Sequence, residues 1–164
     1  MPHSRCLTSS WANALGESGQ GTSGLVQIVT ETAGAIGYAD ASKAGTLGTV
    51  AIKVGDEYVS HSPEGAALAL ASSERKEGNG ANDIVFSIDR TTTEAGAYPL
   101  MLLSYVIICQ TYEDESDLAN VTGFLKYVAS AEGQAAAASA AGSAPLPAEL
   151  STEIEGILDT IAAG

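Results

Sequence analysis

The sequence predicts an α/β fold, and two observations carry that expectation. Apolar runs of strand length alternate with segments whose apolar residues recur at helical spacing, and most helical segments carry their own start and stop residues. The chain has 164 residues, 45% of them hydrophobic, and a mean hydropathy of +0.13. That is enough for one domain with a core, or for two pieces of a larger protein.

The elements follow in order. Thr22 or Ser23 caps a helix whose apolar face is Leu25, Val26, Ile28 and Val29, and Gly34 suits a left-handed stop after it. Residues 35–39, AIGYA, read as a short buried strand in which Gly37 permits close backbone approach, followed by a turn over 40–45. Residues 47–54 and 58–60 flank Gly55-Asp56-Glu57 as a hairpin. Ser62-Pro63-Glu64 is a helix start, serine as cap and proline in the first helical position, leading into the alanine-rich 65–72. The stretch 74–83, ERKEGNGAND, reads as an exposed loop, and 84–88 as a strand. Residues 100–109 form an almost unbroken apolar run, the pattern of a central strand buried on both faces, and they end at a Cys109 thiol read as buried.

The rest is helical. Leu118, Val121, Phe124, Leu125 and Val128 share a face, and the acids of 114–117 stand where they complement the helix dipole. An alanine-rich helix over 132–141 stops at Gly142, and a last amphipathic helix follows Pro147.

Charge narrows the function. Twenty acidic residues against seven basic ones give −13, which repels nucleic acid and anionic membranes. A small anion is not excluded, because backbone N–H groups and hydroxyls hold one whatever the global charge. Cys6 and Cys109 have no ligand-like neighbours, so no zinc site is expected, and a disulfide stays open. MPHSRCLTSS lacks the apolar core of an export signal, and no run approaches the roughly 20 residues of a membrane span.

Residues 19–24, GQGTSG, match the dinucleotide fingerprint G-x-G-x-x-G, with Asp40 downstream. That motif works only between a strand and a helix, and residues 11–18 read as a loop. Leu25 stands where the nucleophile elbow G-x-S-x-G needs its last glycine. His3 and His61 are the only histidines and neither pairs with a nucleophile, so no enzyme is expected. Glu113 to Glu115 read as a solvated helix start, and Arg90 as an exposed loop arginine with anion contact as the alternative.

Three stretches in order resemble the C-terminal half of the solute-binding protein of the Pst-type ABC phosphate importer, a periplasmic phosphate-binding protein. They are GTSGLVQIVTETAGAIGYADASKA (21–44), AYPLMLLSYVIICQTY (97–112) and FLKYVASAEGQAAAASAAGSAPLPAEL (124–150), the last alanine-rich as in actinobacterial members. The resemblance implies an α/β, type II periplasmic-binding-protein-like fold, incomplete, with parts of two lobes. Residues 1–15 are an unmatched, disordered start, 16–97 part of lobe two, and 98–164 the returning part of lobe one. It implies capture of inorganic phosphate without catalysis, an extracytoplasmic location, and a membrane permease as partner. No cofactor, metal or nucleic acid is implied. Gly21, Thr22 and Ser23, at a helix start facing the cleft, are the candidate ligand residues. The family's main phosphate ligands lie on upstream segments with no counterpart here, so the chain reads as truncated or divided, with a complementary N-terminal half as a further partner. The alternative is an α/β interaction or structural fragment that does not bind phosphate alone. Uncovered apolar faces lead to an expectation of self-association.

Overall fold

Residues Gly21–Glu31 form the first helix, α1, with Leu25, Val26, Ile28 and Val29 on its half-buried side. The structure, a computed structural model, describes residues 17–77 and 80–164. They fall into two units, one ending at Leu47 and the other running from Gly48 to Gly164. In the first, α1 starts one residue earlier than the predicted cap. Gln20 is the N-cap and makes no side-chain cap bond, so neither Thr22 nor Ser23 caps the helix. Gly21 itself takes the left-handed turn, φ +65°, that brings the chain in. After α1 the left-handed Gly34, φ +80°, ends the turn as expected.

The predicted strand over 35–39 does not form. Ile36 is 79% exposed and no pairing is present, because the first unit offers no partner strand among its described residues. Gly37 does sit close to a neighbour, but the neighbour is α1: a Cβ on Gly37 would fall 2.8 Å from Val29 Cγ2. The turn that follows is a single 3₁₀ turn, Ala41–Lys43, held by the Asp40 carboxylate accepting from the Ser42 N–H at 2.9 Å.

In the second unit the expected hairpin is present and shorter. Strands β1, Ile52–Val54, and β2, Glu57–Val59, pair antiparallel with Val54 opposite Glu57. Gly55 at φ +56° supplies the positive φ that a two-residue loop of this kind needs first. Helix α2, Pro63–Ala71, begins as predicted, with the Ser62 hydroxyl accepting from the Gly65 N–H at 2.9 Å and Pro63 opening the helix. The 74–83 loop is partly a strand: β3, Glu74–Arg75, pairs antiparallel with β4, Phe86–Ser87, which is all that forms of the strand predicted over 84–88.

The long apolar run is the largest departure. Residues 100–109 form no strand, and Leu102 is 81% and Ile107 96% exposed; Cys109, expected to be buried, is exposed with them. A strand buried on both faces needs a neighbour on each side. Here pairing begins only beyond the run, where β5, Thr111–Tyr112, lies parallel to β6, Ala162–Ala163.

The helical end follows the sequence closely. Helix α3, Glu115–Ala129, is capped by Asp114, whose carboxylate accepts from the Ser116 and Asp117 N–H groups at 2.7 and 3.3 Å. Ser130 ends α3 and caps α4, Ala131–Ala141, which stops at the left-handed Gly142, φ +66°. Helix α5, Ala148–Leu158, follows Pro147. Helix α3 packs on both α4 and α5.

The buried apolar residues are Val54, Ala69, Leu70, Ala97, Ala129 and Leu158, and no large side chain among the described residues is wholly buried. Half of that core is alanine. Burying a leucine such as Leu158 contributes roughly 1.5–3 kcal/mol, and an alanine much less, so cohesion rests on few side chains.

Candidate functional site

The candidate ligand residues Gly21, Thr22 and Ser23 are the first three residues of α1. Gly21 and Ser23 are exposed and Thr22 is half-buried. The glycines around them shape the chain: a Cβ on Gly19 would fall 2.3 Å from the Gly24 carbonyl carbon, which no side chain tolerates. The first turn of α1 carries no acidic residue and no side-chain cap. Among the described residues no side chain caps its leading N–H groups, which have the positive end of the helix dipole behind them and two hydroxyls beside them. This arrangement suits a small anion. It lacks what a dinucleotide requires, since residues 17–20 form no strand leading into the turn; residues 11–16 of the loop predicted there lie outside the described residues.

Asp40, the acid sought downstream of the fingerprint, is occupied locally. The Ser42 hydroxyl, then the Ser42 N–H, hold its carboxyl below the ordinary aspartate value.

In the second unit Arg90 is exposed in a loop, as the sequence leads one to expect, and it also makes backbone contacts that the sequence does not announce. Its guanidinium donates to the carbonyls of Pro99 and Met101, at 2.9 Å for the latter, which fixes the chain entering the apolar run. The preceding Asp89 accepts from the Thr91 hydroxyl and N–H, both at 2.8 Å, and these bonds lower its pKa. Nη1 of Arg90 is thus committed to carbonyls. His61 is exposed and meets Tyr98 edge-on at 6.4 Å; His3 lies outside the described residues.

A groove of about 330 Å³ that sequence reasoning missed lies between α3 and the end of α5, lined by Glu115, Leu118, Thr122, Lys126, Leu158 and Asp159 among others. Lys126 Nζ bonds Asp159 Oδ1 at 2.6 Å across it. With its cation already paired and Glu115 nearby, the groove repels an anion. Only the spacing of Lys126 and Asp159 after folding reveals it, and no local signal does.

Among the described residues no group of His, Cys, Asp and Glu is placed to hold a metal ion, and no helix is long and apolar enough to cross a membrane.

A search of curated proteins and a search of solved structures each gave no match. A family model described as a PBP superfamily domain matches residues 3–132, most of the chain. Its members are typically non-catalytic, extracytoplasmic solute-binding proteins that work with a transporter. The helices and small sheets seen here fit an α/β periplasmic-binding-protein-like fold that is incomplete among the described residues. With residues 3–132 matched, the chain belongs to the PBP superfamily, the periplasmic-binding-protein group of solute-binding domains.

Proposed function

We propose that the chain binds inorganic phosphate as the solute-binding subunit, or the C-terminal part of one, of an ABC-type phosphate importer, and hands it to a membrane permease outside the cytoplasm. The open N-terminus of α1 carries the reading. Uncapped N–H groups, the Thr22 and Ser23 hydroxyls and the absence of an acid in the first turn accept an anion in a chain of net charge −13. The phosphate assignment and the actinobacterial Pst type rest on the three resembling stretches, as does the division into lobe two over 16–97 and lobe one over 98–164.

Calorimetric titration tests it. Phosphate is expected to bind at micromolar affinity or tighter, and Thr22→Ala with Ser23→Ala to weaken it at least tenfold. No binding heat with phosphate overturns the reading for the isolated chain.

The exposed apolar residues of 102–107 favour a second reading, an α/β interaction fragment that does not bind phosphate alone. Binding that appears only when a complementary N-terminal half is added supports it.

A further inference from the structure

The β3–β4 pair has an outer edge on β4. The Lys76 N–H donates to the Val85 carbonyl at 2.8 Å and Ser87 stands opposite Glu74, so Val85 and Ser87 turn their backbone groups toward β3. Ile84, Phe86 and Ile88 therefore turn theirs away from it. Among the described residues the backbone groups of Ile84 and Ile88 make no hydrogen bond, whereas those of Phe86 meet the Tyr105 hydroxyl. That hydroxyl accepts from the Phe86 N–H at 3.0 Å and donates to the Phe86 carbonyl at 3.4 Å. A single side chain stands where the peptide groups of a neighbouring strand would stand.

A second contact aligns the chain that carries Tyr105. Arg90 lies four residues after Phe86 and Met101 four before Tyr105, and Arg90 Nη1 donates to the Met101 carbonyl at 2.9 Å. Residues 101–105 thus run antiparallel to 86–90 in a defined register, each contact bridged by a side chain instead of by backbone.

That register matches the two segments residue by residue. Ile84 faces Ile107, Val85 faces Val106, Phe86 faces Tyr105, Ser87 faces Ser104 and Ile88 faces Leu103. Aromatic and β-branched pairs of this kind stabilise a ladder, and a slip of one residue sets Ser87 against Leu103 or Tyr105 instead. The backbone groups of Leu103, Tyr105 and Ile107 make no hydrogen bond among the described residues, and they complete the row that the β4 edge lacks.

We infer that residues 103–107 are a strap poised to close on the outer edge of β4 as the third strand of that sheet, with Tyr105 opposite Phe86. Closing swings the Tyr105 side chain out, and the N–H and carbonyl of Tyr105 replace its hydroxyl on Phe86. The pairs Ile84–Ile107 and Ile88–Leu103 then exchange two hydrogen bonds each. The strap is separate from phosphate binding, and its tests are run without phosphate.

Amide hydrogen exchange, followed residue by residue in Tyr105→Phe, tests it. Phenylalanine removes the bond that holds the strap open and leaves every backbone group of the closed form. The N–H groups of Ile84, Ile88, Leu103 and Ile107 are expected to exchange at least tenfold more slowly than in the unsubstituted chain, while those of Ser104 and Val106, which face away from β4, change little. A mere anchor gives the reverse, faster exchange at Phe86 and no slowing elsewhere. With Cys6→Ser and Cys109→Ser in place, Phe86→Cys with Tyr105→Cys is expected to form a disulfide within one chain, because directly opposed Cα atoms of such a pair lie about 5.5 Å apart. Phe86→Cys with Leu103→Cys, diagonal at about 7–8 Å, is expected to oxidise at least tenfold more slowly. Unslowed exchange at Leu103 and Ile107, equal slowing at Ser104 and Val106, equal cross-linking of the two cysteine pairs, or a disulfide between two copies overturns the inference.

Discussion

Gly133 lies in the first turn of α4, buried against the last turn of α3, and replacing it with alanine tests how the two helices are joined. A Cβ there would fall 2.0 Å from the Tyr127 carbonyl oxygen and 2.9 Å from its carbon. Both are backbone atoms, which cannot rotate away as a side chain does. The same joint holds Ser130, whose hydroxyl donates to Tyr127 O at 2.7 Å and accepts from the Gly133 N–H at 3.1 Å. Opening it therefore strains α3 and pulls apart the cap of α4. Overpacking costs roughly 1–3 kcal/mol, the cap about another 1, and alanine's better helix propensity returns at most about 1. The net loss is about 1–3 kcal/mol. Gly123 in α3 is the internal control: it is exposed, a Cβ there meets nothing within 4 Å, and Gly123→Ala is expected to stabilise by about 1 kcal/mol. Thermal melts followed at 222 nm are expected to separate the two variants by roughly 4–15 °C, at 2–4 °C per kcal/mol for a chain of this size. Gly133→Ala melting at or above Gly123→Ala would refute the argument.

Three further outcomes follow. Ser62→Ala removes the α2 cap and is expected to cost about 1 kcal/mol in urea unfolding, whereas Ser62→Asp retains most of that stability. The Ser116 hydroxyl first, then the Ser116 and Asp117 N–H groups, hold the Asp114 carboxyl below its ordinary value of 3.8. A depressed carboxyl stabilises the fold above its unfolded value and loses that contribution as pH falls through the folded one. The helical signal of α3 is therefore expected to drop below pH 3.8, and Asp114→Asn, which keeps the cap, to flatten the drop; an unchanged acid profile would count against it. The Arg75–Glu153 ion pair has both side chains more than a third exposed, so a double-mutant cycle is expected to give no more than about 1 kcal/mol, shrinking in high salt.

The parts of the fold legible in the sequence are those decided within a few residues. Ser62 with Pro63, Asp114 before α3, Gly142 after α4 and Gly55 in the hairpin each act on their own neighbours, and each stands where the sequence puts it. Gln20 is the exception: with Gly21 able to turn left-handed, the chain enters α1 before either hydroxyl is needed as a cap. Strands are less legible, because hydrophobicity states how deeply a segment would lie if flanked and says nothing of whether a flanking strand exists. Residues 35–39 and 100–109 have the composition of buried strands and, among the described residues, no paired neighbour strand to make them so. By the same logic β6 was invisible, since Ala162 and Ala163 become a strand only because Thr111 and Tyr112 lie alongside.

The candidate site divides along the same line. Its glycines were readable because Gly19 and Gly24 constrain each other across a single turn, and the open N–H groups of α1 follow from the missing cap. Selectivity for one anion is a different matter, because it needs groups brought from distant segments to the same 3 Å shell, as Arg90 shows by contrast. Sequence places Arg90 in a threonine-rich loop, and the Pro99 and Met101 carbonyls take its Nη1 donors, contacts 9 and 11 residues away that no local pattern encodes. Nη1 of Arg90 thereby holds the chain that enters the apolar run. Under the proposed phosphate reading, selectivity depends on what closes over Gly21, Thr22 and Ser23. An affinity for phosphate no better than for sulfate in the isolated chain, sharpening when a complementary half is supplied, is the signature of a site whose second side comes from another segment.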